Sequence, residues 1–179
     1  EGFNLTNSEL GDIFAVYGVT AMLAYFPGGL IADKFNPKIL IIISLVATAI
    51  GGIYLATFPG VVGLAILYAY WGITTIFLFW AGLMKSTREW GGDAAQGRAF
   101  GFLEGGRGLA AAVFASIAVW LFAQGIPTLE IINQADRRQA LSSVIFLYTG
   151  LTFLAAISVA IWLPNNEKSG TYKPLKTSV

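Results

Sequence analysis

Cysteine and histidine are both absent from the chain. That removes disulfides, thiolate nucleophiles, histidine general bases and the usual zinc ligands in one step, so no catalytic centre of the soluble type, no metal and no cofactor is expected. Charge is scarce as well: Asp, Glu, Lys and Arg make up 12% of the 179 residues, where soluble domains carry about 25%. It is missing altogether between Lys38 and Lys85, between Arg107 and Glu130, and between Arg138 and Glu167. The net charge of +1 comes without a basic face, so nucleic acid is not a partner. No Walker-type phosphate loop occurs, which leaves direct ATP drive without support.

What is present is apolar length. Hydrophobic residues form 56% of the sequence, and each uncharged gap is long enough for one or more bilayer spans of about 20 residues. The fold class is therefore all-α, a polytopic transmembrane helix bundle of about five spans, with membrane lipid as its solvent. Thr6 and Glu9 have the spacing of a capping box, which places a helix start just before the first span. That span runs over about residues 13–32, with Pro27 and Gly28-Gly29 in its last turns as a kink or close-packing point. The stretch from Ile39 to Met84 would extend about 69 Å as one helix, over twice the hydrocarbon thickness, so it must fold back. Phe58-Pro59-Gly60 supplies the turn, with Gly60 free to take positive φ, giving spans at about 39–58 and 62–84. A polar loop from Lys85 to Gln96, a span at about 98–123, a loop from Gln124 to Gln139 and a span at about 140–163 follow. Residues 164–179 form a polar tail or the start of a linker.

Loop charges set the orientation, because Lys and Arg near span ends are retained in the cytoplasm. One side collects Lys34, Lys38, Lys85, Arg88, Arg98, Lys168, Lys173 and Lys176. The other holds only Arg137 and Arg138 beside Glu9, Asp12, Glu130 and Asp136. The loops at 33–38 and 85–97 and the C-terminal tail are thus expected in the cytoplasm of a cell with the chain in its inner membrane.

The first of those loops carries a pattern: Gly29, then Asp33 four residues on, Lys34, Asn36 and Lys38. Together with the helix count and orientation it resembles the loop between the second and third helices of the major facilitator superfamily. Asn36 stands where glycine is usual, and Asn visits left-handed backbone more readily than most residues. Pro37 replaces a basic residue. Gly29 would let a neighbouring helix approach, Asp33 would cap or pair with a helix end, and the lysines would anchor a gating loop. The resemblance implies that the five spans are helices two to six of a twelve-helix transporter, a partial half-domain. Its further partners would then be a first helix before Glu1 and a C-terminal half after Val179, and the chain reads as an excerpt. The arginine motif of the family's fourth helix is absent, since 62–84 is uncharged.

Within the fourth span, Gly97, Gly101, Gly105 and Gly108 fall on one helical stripe suited to close helix packing. Glu104 and Arg107 flank it and are expected to face the bundle interior or an aqueous cavity. Ionisable residues within a span are functional candidates: Arg107 as anchor for an anion, Glu104 as a coupling carboxylate, or both as a gate. The structural alternative is an i, i+3 ion pair that only holds the helix. Tyr68 and Trp71, one turn apart on the span that resembles a cavity-lining helix, are further substrate candidates. The function expected from the resemblance is secondary transport of a small polar solute, an anion if Arg107 anchors it, by alternating access and without enzymatic chemistry. The alternative is a non-transporting membrane subunit or scaffold that packs partner helices through its glycine stripe.

Single cysteines at Asn36 and Gly91 are expected to react with an impermeant maleimide from the cytoplasmic side and one at Thr128 from the opposite side. Labelling of Asn36 and Thr128 from the same side overturns this orientation.

Overall fold

The computed structural model describes residues 2–125 and 134–165. The expected loop around Glu130, Thr128 within it, and the tail beyond residue 165 lie outside the described residues. The described part is helical without strands: α1 (Asn7–Lys34), α2 (Pro37–Leu55), α3 (Val61–Gly72), a π-helical segment (Ile73–Trp80), α4 (Ala81–Gly91), α5 (Gln96–Gln124) and α6 (Gln134–Trp162). The stretch Val61–Gly91 is one continuous helical run, so five helices are long and apolar enough to cross a membrane.

Local chemistry starts these helices. Thr6 caps α1: the Glu9 amide donates to Thr6 Oγ1 at 3.2 Å, and the Thr6 amide donates to the Glu9 carboxylate at 2.8 Å. Such a cap is worth about 1 kcal/mol. Pro27 lies inside α1, which continues through it to Lys34. Asn36 caps α2 by accepting from the Lys38 amide at 2.9 Å, and Pro37 occupies the first turn, where its missing N–H costs nothing. Asn36 therefore has φ −63°, not the left-handed conformation expected of it; the cap fills the role a turn glycine would otherwise have. In the next turn the positive φ falls on Phe58 (54°), whereas Gly60 is extended at −70°. A positive φ on a bulky residue costs about 1–3 kcal/mol. The Phe58 ring is held between Phe3, at 5.0 Å, and the Arg138 guanidinium, at 5.3 Å.

Two expected loops are shorter than the charges suggest. Lys85 to Gly91 is helical, and so is Gln134 to Gln139. The third span has 31 residues, about 46 Å at 1.5 Å per residue, against roughly 30 Å of hydrocarbon. A helix longer than the hydrocarbon can carry charge at its end, so charge there is no argument for a loop.

In the bundle α2 packs along α6, α1 along α3 and the π segment, α2 also along the π segment, and α4 along α5. Small residues permit the closest of these approaches. A side chain at Gly52 would run into Thr149 of α6, and a Cβ at Gly28 would lie 3.0 Å from the Phe77 carbonyl oxygen and 3.1 Å from Phe77 Cα. Gly28, rather than Gly29, is thus the close-packing residue: a Cβ at Gly29 meets nothing within 4 Å. The α5 stripe is equally open, with nothing near a Cβ at Gly97, Gly101, Gly105 or Gly108, and only Ala99 and Ala118 of α5 are buried.

Because the Phe77 backbone cannot swing aside as a side chain can, Gly28→Val is expected to cost about 1–3 kcal/mol of stability and Gly28→Ala less. Thermal unfolding of the full-length protein in detergent measures both; a Val variant as stable as wild type refutes the contact.

Candidate functional site

Three features carry polar chemistry within the spans. The first is a cluster of hydroxyls where the π segment begins. Ser44 of α2, wholly buried, donates to the Thr74 carbonyl at 2.6 Å, and Thr48 Oγ1 donates to Thr74 Oγ1 at 3.1 Å. Thr75 Oγ1 donates to the Trp71 carbonyl at 2.6 Å and lies 3.1 Å from the Tyr17 hydroxyl of α1. Trp71 Nε1 donates to the Thr48 carbonyl at 3.2 Å, while its ring stands 5.4 Å from Tyr68, which meets Phe14 edge-on. Trp71 is thereby fixed against α2, and Tyr68 is packed between two rings. The indole N–H of Trp71 is thus in use, and Trp71, Tyr17 and Thr75 help line a cavity of about 350 Å³ reaching to Tyr148 and Thr152 of α6.

The second feature sits at the end of the bundle that carries the 33–38 loop. Lys85 donates from Nζ to the carbonyls of Ala32 (2.6 Å), Phe35 (3.2 Å) and Asp33 (3.4 Å). These are carbonyls at and just past the last turn of α1, where acceptors lack intrahelical donors and a cation complements the helix dipole. Asp33 and Gly29 of the loop pattern line an adjoining cavity of about 360 Å³ with Tyr25, Trp80, Lys85 and Arg88. Lys34 is exposed, and the Asn36 side-chain amide also donates to Asn165, three residues past the end of α6, at 2.5 Å.

The third is the charge pair on α5. Arg107 donates to Glu104 at 2.5 Å, with the side chains 58% and 50% exposed. The sequence leaves the bundle interior or an aqueous cavity open to the pair; both side chains are exposed among the described residues, on a helix that touches the others mainly through α4 and α6, so of the two the interior of the described helices is not where the pair lies. The Arg107 guanidinium lies 5.6 Å from the centroid of Trp80, the last residue of the π segment and a wall of the 360 Å³ cavity. The structure thus brings Glu104 and Arg107 together with Trp80, and Tyr68 together with Trp71. No hydrogen bond, ion pair or ring contact joins these two groups among the described residues.

Sequence reasoning missed Lys85 as a helix cap, because a lysine after an apolar run reads as loop. It also missed Trp80 as the platform for Arg107 and the hydroxyls of Tyr17, Ser44, Thr48, Thr74 and Thr75. The available signal for the last group was the alignment of Ser and Thr at 44 and 48 opposite the adjacent pair 74–75, polar residues inside otherwise apolar spans.

Comparison with known proteins bears on the whole chain. It is 29% identical over 162 residues to Inner membrane protein YqcE of Escherichia coli (strain K12), covering 90% of this chain and 36% of that protein. It is 36% identical over 122 residues to Inner membrane protein YihN of the same organism, covering 68% and 29%. Over 190 residues it is 23% identical to Uncharacterized protein MG294 homolog of Mycoplasma pneumoniae (strain ATCC 29342 / M129 / Subtype 1), covering 97% and 39%. The chain therefore spans between 29% and 39% of the length of these relatives. No solved structure matches it significantly. The model of the Major Facilitator Superfamily matches residues 1–178, and with five apolar helices under that match the chain belongs to the Major Facilitator Superfamily.

Proposed function

We propose that the chain is part of a secondary transporter of the inner membrane that moves a small anionic solute by alternating access, with the loops at 33–38 and 85–97 on the cytoplasmic side. The observation that carries this reading is the Arg107 arrangement. A guanidinium within a span costs about 2.5–3.5 kcal/mol on insertion scales, and a carboxylate a similar amount. An exposed helical ion pair returns roughly 0.3–0.5 kcal/mol and a cation–π contact about 0.5–2 kcal/mol. Those returns hold where water reaches the pair, which is also where the insertion cost is least, and the half-exposed side chains fit a hydrated cavity to which a charged solute has access. Arg107 suits that role because its planar fork can hold a carboxylate or phosphate while its face stays on Trp80. Glu104 then competes with the solute for Arg107, and the exchange of one anion for the other gives occupancy a means of reporting itself. Lys85 and Arg88 outnumber Asp33 around the neighbouring cavity and leave it net positive.

A second reading rests on a different observation. The glycine stripe of α5 has no neighbour among the described residues, and glycines cost about 1 kcal/mol each in a helix interior. Close packing of further helices accounts for them, whether those helices belong to the rest of a transporter or to partners of a non-transporting subunit.

The test is uptake of a panel of small organic and inorganic anions by proteoliposomes carrying the complete protein at matched abundance. Arg107→Ala is expected to insert normally and lose at least tenfold in uptake, about 1.4 kcal/mol or more. If Arg107 is only the structural partner of Glu104, the single variant inserts poorly and Glu104→Gln with Arg107→Gln restores both insertion and uptake. Full activity of the double variant removes the pair from the site.

A further inference from the structure

We propose that the π segment Ile73–Trp80 is a switchable joint: it exchanges π for α hydrogen bonding and so turns the charged end of the third span, α4, relative to α1 and α2. The inference deepens the transport reading of the same span and rests on it for its purpose.

The segment is unusual in extent. π-helical hydrogen bonding usually occupies a single turn and concentrates at functional sites; here it runs for eight residues in the middle of a 31-residue span. Its sequence, Ile-Thr-Thr-Ile-Phe-Leu-Phe-Trp, contains no Gly or Pro that would impose an irregular backbone. Either hydrogen-bonding pattern is open to it, and the neighbours select one. Ser44 and Thr48 of α2 hold its first turn at Thr74, Tyr17 of α1 meets Thr75, and Gly28 of α1 lies against the Phe77 backbone. All the polar holds are neutral hydroxyl bonds, which can be traded for others without moving a charge.

The two sides of the joint are anchored differently. Upstream, Tyr70 donates to the Ala47 carbonyl at 2.7 Å and Trp71 to the Thr48 carbonyl, so α3 is fastened to α2 along its last turn. Downstream, α4 carries no hydrogen bond to α2 among the described residues; it packs on α2 at Gly82, where a Cβ would lie 3.1 Å from the Pro37 carbonyl oxygen, and carries Lys85 onto the end of α1, while Trp80 at the joint's own end supports Arg107. Replacing π by α bonding changes the helical phase after the segment by on the order of one residue step, about 100°. At the 5–6 Å radius of a helix with its side chains, that displaces a downstream side chain by up to about 8 Å. Lys85 would leave the α1 carbonyls and Trp80 would leave Arg107 in the same movement. The joint therefore links the hydroxyl cluster, the Lys85 cap and the charge pair on α5, and packed helices favour two discrete settings of such a link over a continuum.

The experiment uses spin-label pairs in the full-length protein with no other cysteine, in bilayers; these 179 residues contain none. Glu89→Cys with Ile39→Cys reports on α4 against α2; Val62→Cys with Ile53→Cys reports on α3 against α2. The first pair is expected to show two distances separated by up to about 8 Å and the second pair one distance. Ser44→Ala, which removes a hold on the π form, is expected to change the ratio of the two populations at least twofold. One distance for the first pair, two distances for both pairs, or an unchanged ratio in Ser44→Ala overturns the proposal. Should Ser44→Ala fail to insert, the comparison of the two pairs in the otherwise unaltered protein decides. Uptake plays no part in the measurement, so a failure to transport anions leaves this result intact, and a rigid joint leaves the Arg107 result intact.

Discussion

The hydrogen bond from Ser44 to the Thr74 carbonyl is the contact around which the rest of the bundle is arranged. In hydrocarbon every backbone polar group needs a donor or acceptor from the protein itself, and an unmet one costs several kcal/mol. A π-helical start loosens the regular ladder at the place where α2 supplies two hydroxyls. Because Ser44 is wholly buried and its bond is 2.6 Å long, α2 cannot rotate or slide along the third span without breaking it. That register in turn places Trp71 on the Thr48 carbonyl and Gly28 against Phe77. One buried hydroxyl thus fixes the relation of three helices.

How much of this was legible in the sequence depends on which physical quantity each feature obeys. The spans were legible because exclusion of charge from lipid is a property of composition, and the gap from Lys38 to Lys85 is too long for one crossing. The α1 cap was legible because Thr6 and Glu9 interact locally. The π segment was not, since eight apolar or hydroxylated residues present the same composition to either hydrogen-bonding pattern. Nor was the choice of Gly28 over Gly29, which turns on about 100° of helix phase. The choice between interior and cavity for Glu104 and Arg107 stayed open for a related reason: a stripe of glycine identifies a face, but not what covers it.

The open glycines of α5 bear on packing and on charge together. α5 leaves Phe102, Leu109, Val113 and Trp120 exposed beside its open glycines. Lipid satisfies exposed aromatic and aliphatic side chains as well as protein does, so those residues alone demand nothing. Glycine differs, because its lower helix propensity is offset only where another backbone comes close. The charge pair shares the glycine-bearing helix, so whatever closes over the stripe also sets how much water reaches Arg107. Packing and electrostatics on α5 are therefore one problem.

Lys85 and Arg107 answer the problem of a cation near the membrane in opposite ways, and the difference follows from their shapes. The ammonium of Lys85 is a compact point charge with three donors, and it is matched to three convergent carbonyls of Ala32, Asp33 and Phe35. A flat guanidinium would not gather three such acceptors around one point. Arg107 instead donates to Glu104 while its guanidinium lies over the Trp80 ring, a planar delocalised cation suited to serving both partners at once. Carbonyls of a helix end are fixed in place, whereas a carboxylate on a flexible side chain can be exchanged for another anion of similar geometry. Lys85 thus ties α4 to the end of α1, Arg107 ties α5 to the π segment through Trp80, and Trp80 and Lys85 line the same cavity.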